Sequence, residues 1–201
     1  MADDSKALIK ELENLSNKIN NNPFPLWNEL PDLELYMDQV ILLMEKYLEN
    51  YTDGDSKLIT PSMINNYVKL GILPPPNKKK YSRVHIAHLL IICTLKQVLP
   101  IPSIKEIIDI QTQKYSIEDL LNNFSRFYQG NYSNVVSFAN EFIALEVKHS
   151  SSSDLALSMA IISSAGRQIA EKILELNKEE ALKSSSKKEK SSDKESKKSS
   201  K

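Results

Sequence analysis

Two sets of side chains have the types and spacing to hold a partner. Ser62, Asn65, Asn66 and Lys69 fall at i, i+3, i+4 and i+7, so on a helix a hydroxyl, two carboxamides and an ammonium share one face. Lys78, Lys79, Lys80 and Arg83 follow shortly after them. A carboxamide both donates and accepts hydrogen bonds, as the edges of base pairs do, and clustered cations attract phosphate. The chemistry on offer is recognition rather than bond making. No glycine-rich phosphate loop, nucleophile motif or clustered His/Cys set occurs, and no carboxylate lies between Asp55 and Glu106, so an enzyme is not expected.

These residues need elements that present them. Thr60 is a candidate cap, Pro61 suits a first helical position and Gly71 ends the run, which predicts a helix over 60–70. Met63, Ile64, Val68 and Leu70 take its inner side, and Tyr67 is expected to pack inward with them. A rigid turn at Pro74, Pro75 and Pro76 leads to the lysines. The run from Arg83 to Leu99 is apolar on most sides (Ile86, Leu89, Leu90, Ile91, Ile92, Leu95, Val98) and predicts the most buried helix, stopped by Pro100 and Pro102.

Charge is uneven. The chain has 26 basic and 26 acidic residues, yet the window between Asp55 and Glu106 holds eight basic residues and none acidic, a local excess of +8. From Lys183 onward eight lysines face three acidic residues, a net of +5. Such patches draw polyanions, although the end of the chain could equally be a solubilising tail.

The remainder predicts helices. Four glycines in 201 residues, and no regularly spaced strand pattern, point to an all-α chain. Leu8, Leu12, Leu15 and Ile19 sit at helical spacing; the segment 20–31 (NNNPFPLWNELP) breaks that helix. Phe24, Leu26 and Trp27 would pin this linker, with Trp27 either in the core or exposed to a partner. A helix from Asp32 to Tyr51 is expected next. Ser103 with Glu106 reads as a capping box, Ser116 with Asp119 as a weaker cap for a helix over 117–128, and Gly130 as a break before another over 133–148. The longest helix is expected from Asp154 to about Lys183, its broad apolar side (Leu155, Ala156, Met159, Ile162, Ile169, Ile173, Leu174, Leu176) either a self-association surface or docked within its own chain. Beyond it, residues 184–201 contain only Ser, Lys, Glu and Asp, and predict a disordered tail.

Metal and membrane chemistry find little support. His85 and His88 lie one turn apart with Cys93 nearby, but no second cluster completes a tetrahedral set; a structural or phosphate-contacting role fits better. The Asp53–Asp55 pair resembles the start of a calcium loop without its glycine and closing glutamate. No cofactor is expected. The single cysteine, the acidic N-terminus and the lack of a long apolar run predict a cytoplasmic protein without a membrane segment.

The segment MINNYVKLGILPP resembles the second helix and turn of MerR-type winged helix-turn-helix regulators, whose pattern is close to TIRYYERxGLLPP. Ile64, Tyr67, Lys69, Gly71, Leu73, Pro74 and Pro75 occupy like positions, and Lys79–Lys80–Tyr81 stands where that family has its wing. IPSIKEIIDI resembles the family's later helix. LELYMDQV, MINNYVK and KKY together resemble an uncharacterised bacterial family of MerR-like predicted DNA-binding proteins. Asn65–Asn66 replaces the usual Arg-Tyr, the helix before the recognition helix is longer, and the connecting loop is not the tight helix-turn-helix turn; no familiar effector domain follows, and the cysteines of metal-sensing members are missing.

The resemblance implies an all-α fold with at most a tiny β wing. It implies a winged domain over 32–111, preceded by a helix and linker at 1–31 and followed by a dimerisation or regulatory region at 112–183. The implied function is that of a bacterial, nucleoid-associated, dimeric transcriptional regulator of double-stranded DNA, with no effector identifiable. Helix 60–70 would enter the major groove, Asn65 or Asn66 pairing with adenine and Ser62 reaching a base or phosphate. Lys78, Lys79, Lys80 and Arg83 would hold phosphate or reach the neighbouring minor groove, and Lys69 is a second phosphate candidate. Winged scaffolds also dock proteins, so a non-enzymatic adaptor is the alternative.

Overall fold

The computed structural model describes residues 2–51, 58–145 and 152–196. Its described residues form seven α-helices and two short 3₁₀ turns with no strand, so the chain is all-α. Two compact units are present, Met1–Ile161 and Ile162–Lys201. No described helix is long and apolar enough to cross a membrane.

The first unit is built on α4 (Arg83–Leu95), in which every residue from His85 to Thr94 is buried. A helix enclosed on all sides is apolar all round, as its sequence predicts. Around it stand α2 (Met37–Leu48), α5 (Ile101–Thr112) and α6 (Ile117–Leu145). α1 (Ala2–Asn21) lies antiparallel on α6: Leu8, Ile9 and Leu12 pack against Ala139 and Ile143 near the end of α6, while Phe24 meets Phe124 and Tyr128 near its start. Leu155 and Met159, at the start of α7 (Ser152–Ser196), join the first of these clusters. The expected boundaries at 31/32 and 111/112 therefore fall inside one packed body.

Several expectations need correction. The stretch from Asp32 does not begin a helix: Leu35 is extended and exchanges backbone hydrogen bonds with Tyr81, at 2.9 and 2.8 Å, and α2 starts only at Met37. Ser103 does not cap α5, because that helix already starts at Ile101 and takes Pro102 into its first turn, where a missing N–H costs nothing. Gly130 breaks nothing; α6 is one helix of 29 residues, and the loss of about 1 kcal/mol for a helical glycine is offset by packing along its length. The Asp53–Asp55 loop and Lys57 lie outside the described residues.

Other expectations hold. Ser116 accepts from the Asp119 N–H (3.1 Å) and donates to its carboxylate (2.7 Å), capping α6. Trp27 is half-buried and tied into the fold, and Tyr67 is buried. One does not: the second unit continues α7 to Ser196, past Lys183 and into the stretch expected to be a disordered tail. Lys and Glu are good helix formers, and extending an existing helix needs no new nucleus.

Candidate nucleic-acid interface

Helix α3 (Pro61–Lys69) is set by local signals. Thr60 is extended and its hydroxyl accepts from the Met63 N–H at 3.2 Å, while Pro61 fills the first helical position. At the other end Gly71 adopts φ +66°, which lets the Ile72 N–H return to the Tyr67 carbonyl at 3.0 Å. Ile64 and Tyr67 are buried and hold the helix on the core. Burial, and less strongly the neighbouring Cys93, push the Tyr67 phenol up to about 12; burial does the same to the Cys93 thiol, against a small opposing pull from Lys96. Neither group carries charge under ordinary conditions.

The opposite face is open. Ser62, Asn65, Asn66 and Lys69 are all exposed, as their spacing predicts. They form one wall of an open groove of about 780 Å³, closed on the far side by Lys96 and Ile101. The Lys96 ammonium is engaged by the Leu58 carbonyl, so it anchors the chain entering α3.

The lysines sit on a tight turn. Asn77 and Lys80 exchange backbone hydrogen bonds at 3.1 and 2.9 Å, and the two residues between them, Lys78 and Lys79, have φ of 48° and 65°. Two left-handed residues closed by a paired bridge make a two-residue hairpin turn of the type usually built from Asn-Gly. A side chain in this conformation costs about 1–2 kcal/mol per residue. Just after the turn, Tyr81 pairs with Leu35, so the hairpin is fastened to the chain entering α2.

His85 pins the turn from beneath. Its Nδ1 accepts from the Ser82 N–H at 2.9 Å and its Nε2 lies 3.3 Å from the Pro75 carbonyl. That network assigns the proton to Nε2, and the Tyr81 ring stacks edge-on against the imidazole at 5.4 Å. His88 is buried with Nδ1 2.8 Å from the Val84 carbonyl. Burial holds its pKa below the ordinary imidazole value, opposed by that hydrogen bond and aided by nearby His85. Both histidines are structural. Among the described residues no three of His, Cys, Asp and Glu group as metal ligands would.

The cations divide into two classes. Arg83 is engaged inside the protein: it pairs with Asp32 at 3.2 Å, reaches the Pro31 carbonyl at 3.5 Å and lies over the Trp27 ring at 5.4 Å. Lys80 rests over Tyr36 at 5.6 Å, and Lys105 pairs with Asp109 at 2.6 Å. Lys69, Lys78 and Lys79 are exposed, with no ion-pair partner among the described residues. The Arg83 clamp, built from Trp27, Pro31 and Asp32, has no local sequence pattern, because its parts lie some fifty residues apart in the chain.

Residues 25–131, a little over half of the chain, match the family described as a domain of unknown function, DUF1836. The chain belongs to that family. The matched segment takes in the linker, α2 to α5 and the first half of α6, and so contains the whole of the surface described above. No curated protein and no solved structure matches the chain.

Proposed function

We propose that the first unit is a winged helix-turn-helix module that binds double-stranded DNA, and that the protein is a transcriptional regulator. Helix α3 enters the major groove with Ser62, Asn65 and Asn66 toward the bases. The Asn77–Lys80 hairpin serves as the wing, with Lys78 and Lys79 on the phosphate backbone. Lys69, at the end of α3, contacts phosphate. Arg83 leaves the set of contacts suggested by the sequence, since its guanidinium already satisfies Asp32 and Trp27. Lys80 contributes chiefly by steadying the hairpin on Tyr36.

The observation that carries this reading is the hairpin tip. Lysines occupy both left-handed positions, where Asn-Gly would avoid the strain, and both ammonium groups are left unpaired. Backbone strain retained at an exposed charged tip marks a functional constraint rather than a structural one.

In the second unit Ile162, Ile169 and Leu176 recur every seven residues beside Ile173, all exposed. A seven-residue apolar repeat is what a coiled-coil partner buries, and a second copy of this helix is the partner we assign. Two-fold symmetry would then present two α3 helices to a palindromic site.

The test is a titration of the full chain against random duplex DNA over a range of salt. Binding that weakens steeply, as a power of salt concentration, is expected. No binding to any duplex would overturn the reading and leave a protein-docking module in its place.

A further inference from the structure

We infer that α3 is an adenine reader: the carboxamides of Asn65 and Asn66 set the sequence preference, and the preferred site presents A·T pairs to them. This rests on the DNA-binding reading above and adds the base class to it. Both carboxamides are exposed, and among the described residues neither side chain hydrogen-bonds within the protein. They are adjacent at the fifth and sixth of the nine positions of α3, at the middle of its exposed face.

The hydrogen-bond pattern decides which base suits them. In the major groove adenine offers an acceptor, N7, beside a donor, the N6 amine. A carboxamide offers the complement in one plane, its NH₂ to N7 and its oxygen to N6–H. Guanine offers two acceptors, N7 and O6, so a carboxamide would set its own oxygen against O6. Reading guanine calls for a fork of donors, which arginine or lysine provides.

The structure removes those donors from the reading face. Arg83 is held by Asp32, Pro31 and Trp27, and Lys80 lies over Tyr36. Lys78 and Lys79 are on the hairpin rather than the helix. The cation that shares the face, Lys69, is the last residue of α3, placed for phosphate rather than for the groove floor. Half-buried Met63, beside Ser62 and Asn66 in the same groove, adds an apolar neighbour for the thymine methyl group of an A·T pair.

The experiment selects a binding duplex from a random library with the full chain. Copies of it are then made with 7-deazaadenine for adenine, or 7-deazaguanine for guanine, at each position in turn. Each analogue removes N7 and keeps Watson–Crick pairing. At one or more adenines the 7-deaza copy should bind about tenfold more weakly, the discrimination of a bidentate pair, and no guanine copy should. The Asn65→Ala/Asn66→Ala protein should bind both parent and 7-deazaadenine duplexes equally, with the wild-type salt dependence. Sensitivity confined to guanines would overturn the adenine assignment while leaving DNA binding intact. Failure to enrich any duplex would overturn both. Because the analogues are read on the wild-type protein, the result stands however well the double variant folds.

Discussion

The linker between α1 and α2 and the exposed face of α3 contain the same kinds of residue and use them in opposite ways. In the linker, polar groups close on the protein itself. The Trp27 N–H donates to the Asn122 carboxamide at 2.9 Å, and Ser125 donates to the Phe24 carbonyl at 2.6 Å. Tyr51 donates to the Asn22 carbonyl at 2.6 Å, and Asp32 takes the guanidinium of Arg83. On α3 and the hairpin, Asn65, Asn66, Lys78 and Lys79 face outward with their hydrogen-bonding and charge capacity unused. An asparagine or a cation therefore says little by its type. What separates the two regions is whether the partners of these groups already lie in the same chain.

Three substitutions sharpen that contrast. The largest effect is expected at Phe24, which is fully buried among Tyr51, Phe124 and Tyr128. Phe24→Ala should lower unfolding free energy by about 3–5 kcal/mol in urea melts, showing that the linker is part of the core. A loss under about 1 kcal/mol would mean the linker is a detachable strap. Next, Lys78→Asn with Lys79→Gly restores the residues a two-residue hairpin prefers. It should raise stability by about 1–2 kcal/mol while reducing the slope of log affinity against log salt by about 2. Stability gained with no change in slope would remove the lysines from the interface.

The smallest effect is expected from Arg83→Met. It removes an ion pair to an exposed carboxylate and a cation over a ring, together about 1 kcal/mol, and should leave the salt slope unchanged. A slope reduced by about 1 would place Arg83 on phosphate after all.

Much of this was legible in the chain. Thr60, Pro61 and Gly71 delimit α3 because caps and left-handed stops are local chemistry, and the polar face at Ser62, Asn65, Asn66 and Lys69 follows from helical spacing alone. The unbroken apolarity of α4 foretold its burial. Apart from the Ser103 cap, which fails for a local reason, what the sequence did not show lies in the reach of distant partners. Leu33 to Tyr36 carries a helical pattern yet forms no helix, because Leu35 pairs with Tyr81, and no window around Leu35 contains that information. Arg83 sits in a basic cluster, and no local window shows that Asp32 and Trp27 are brought to it. Gly130 would end an isolated helix, but α6 has neighbours on either side of that point.

Cys93 lies fully buried in the last turn of the helix on which the first unit is assembled, and its thiol is held at about 12. A thiol so placed does not meet oxidants or alkylating reagents while α4 keeps its neighbours. Modification has to wait for that end of the helix to leave the core, so the rate at which a thiol reagent consumes Cys93 counts openings of this part of the core. The protein carries its own clock for the opening of that core, one that can be read with the exposed α3 face either bare or covered.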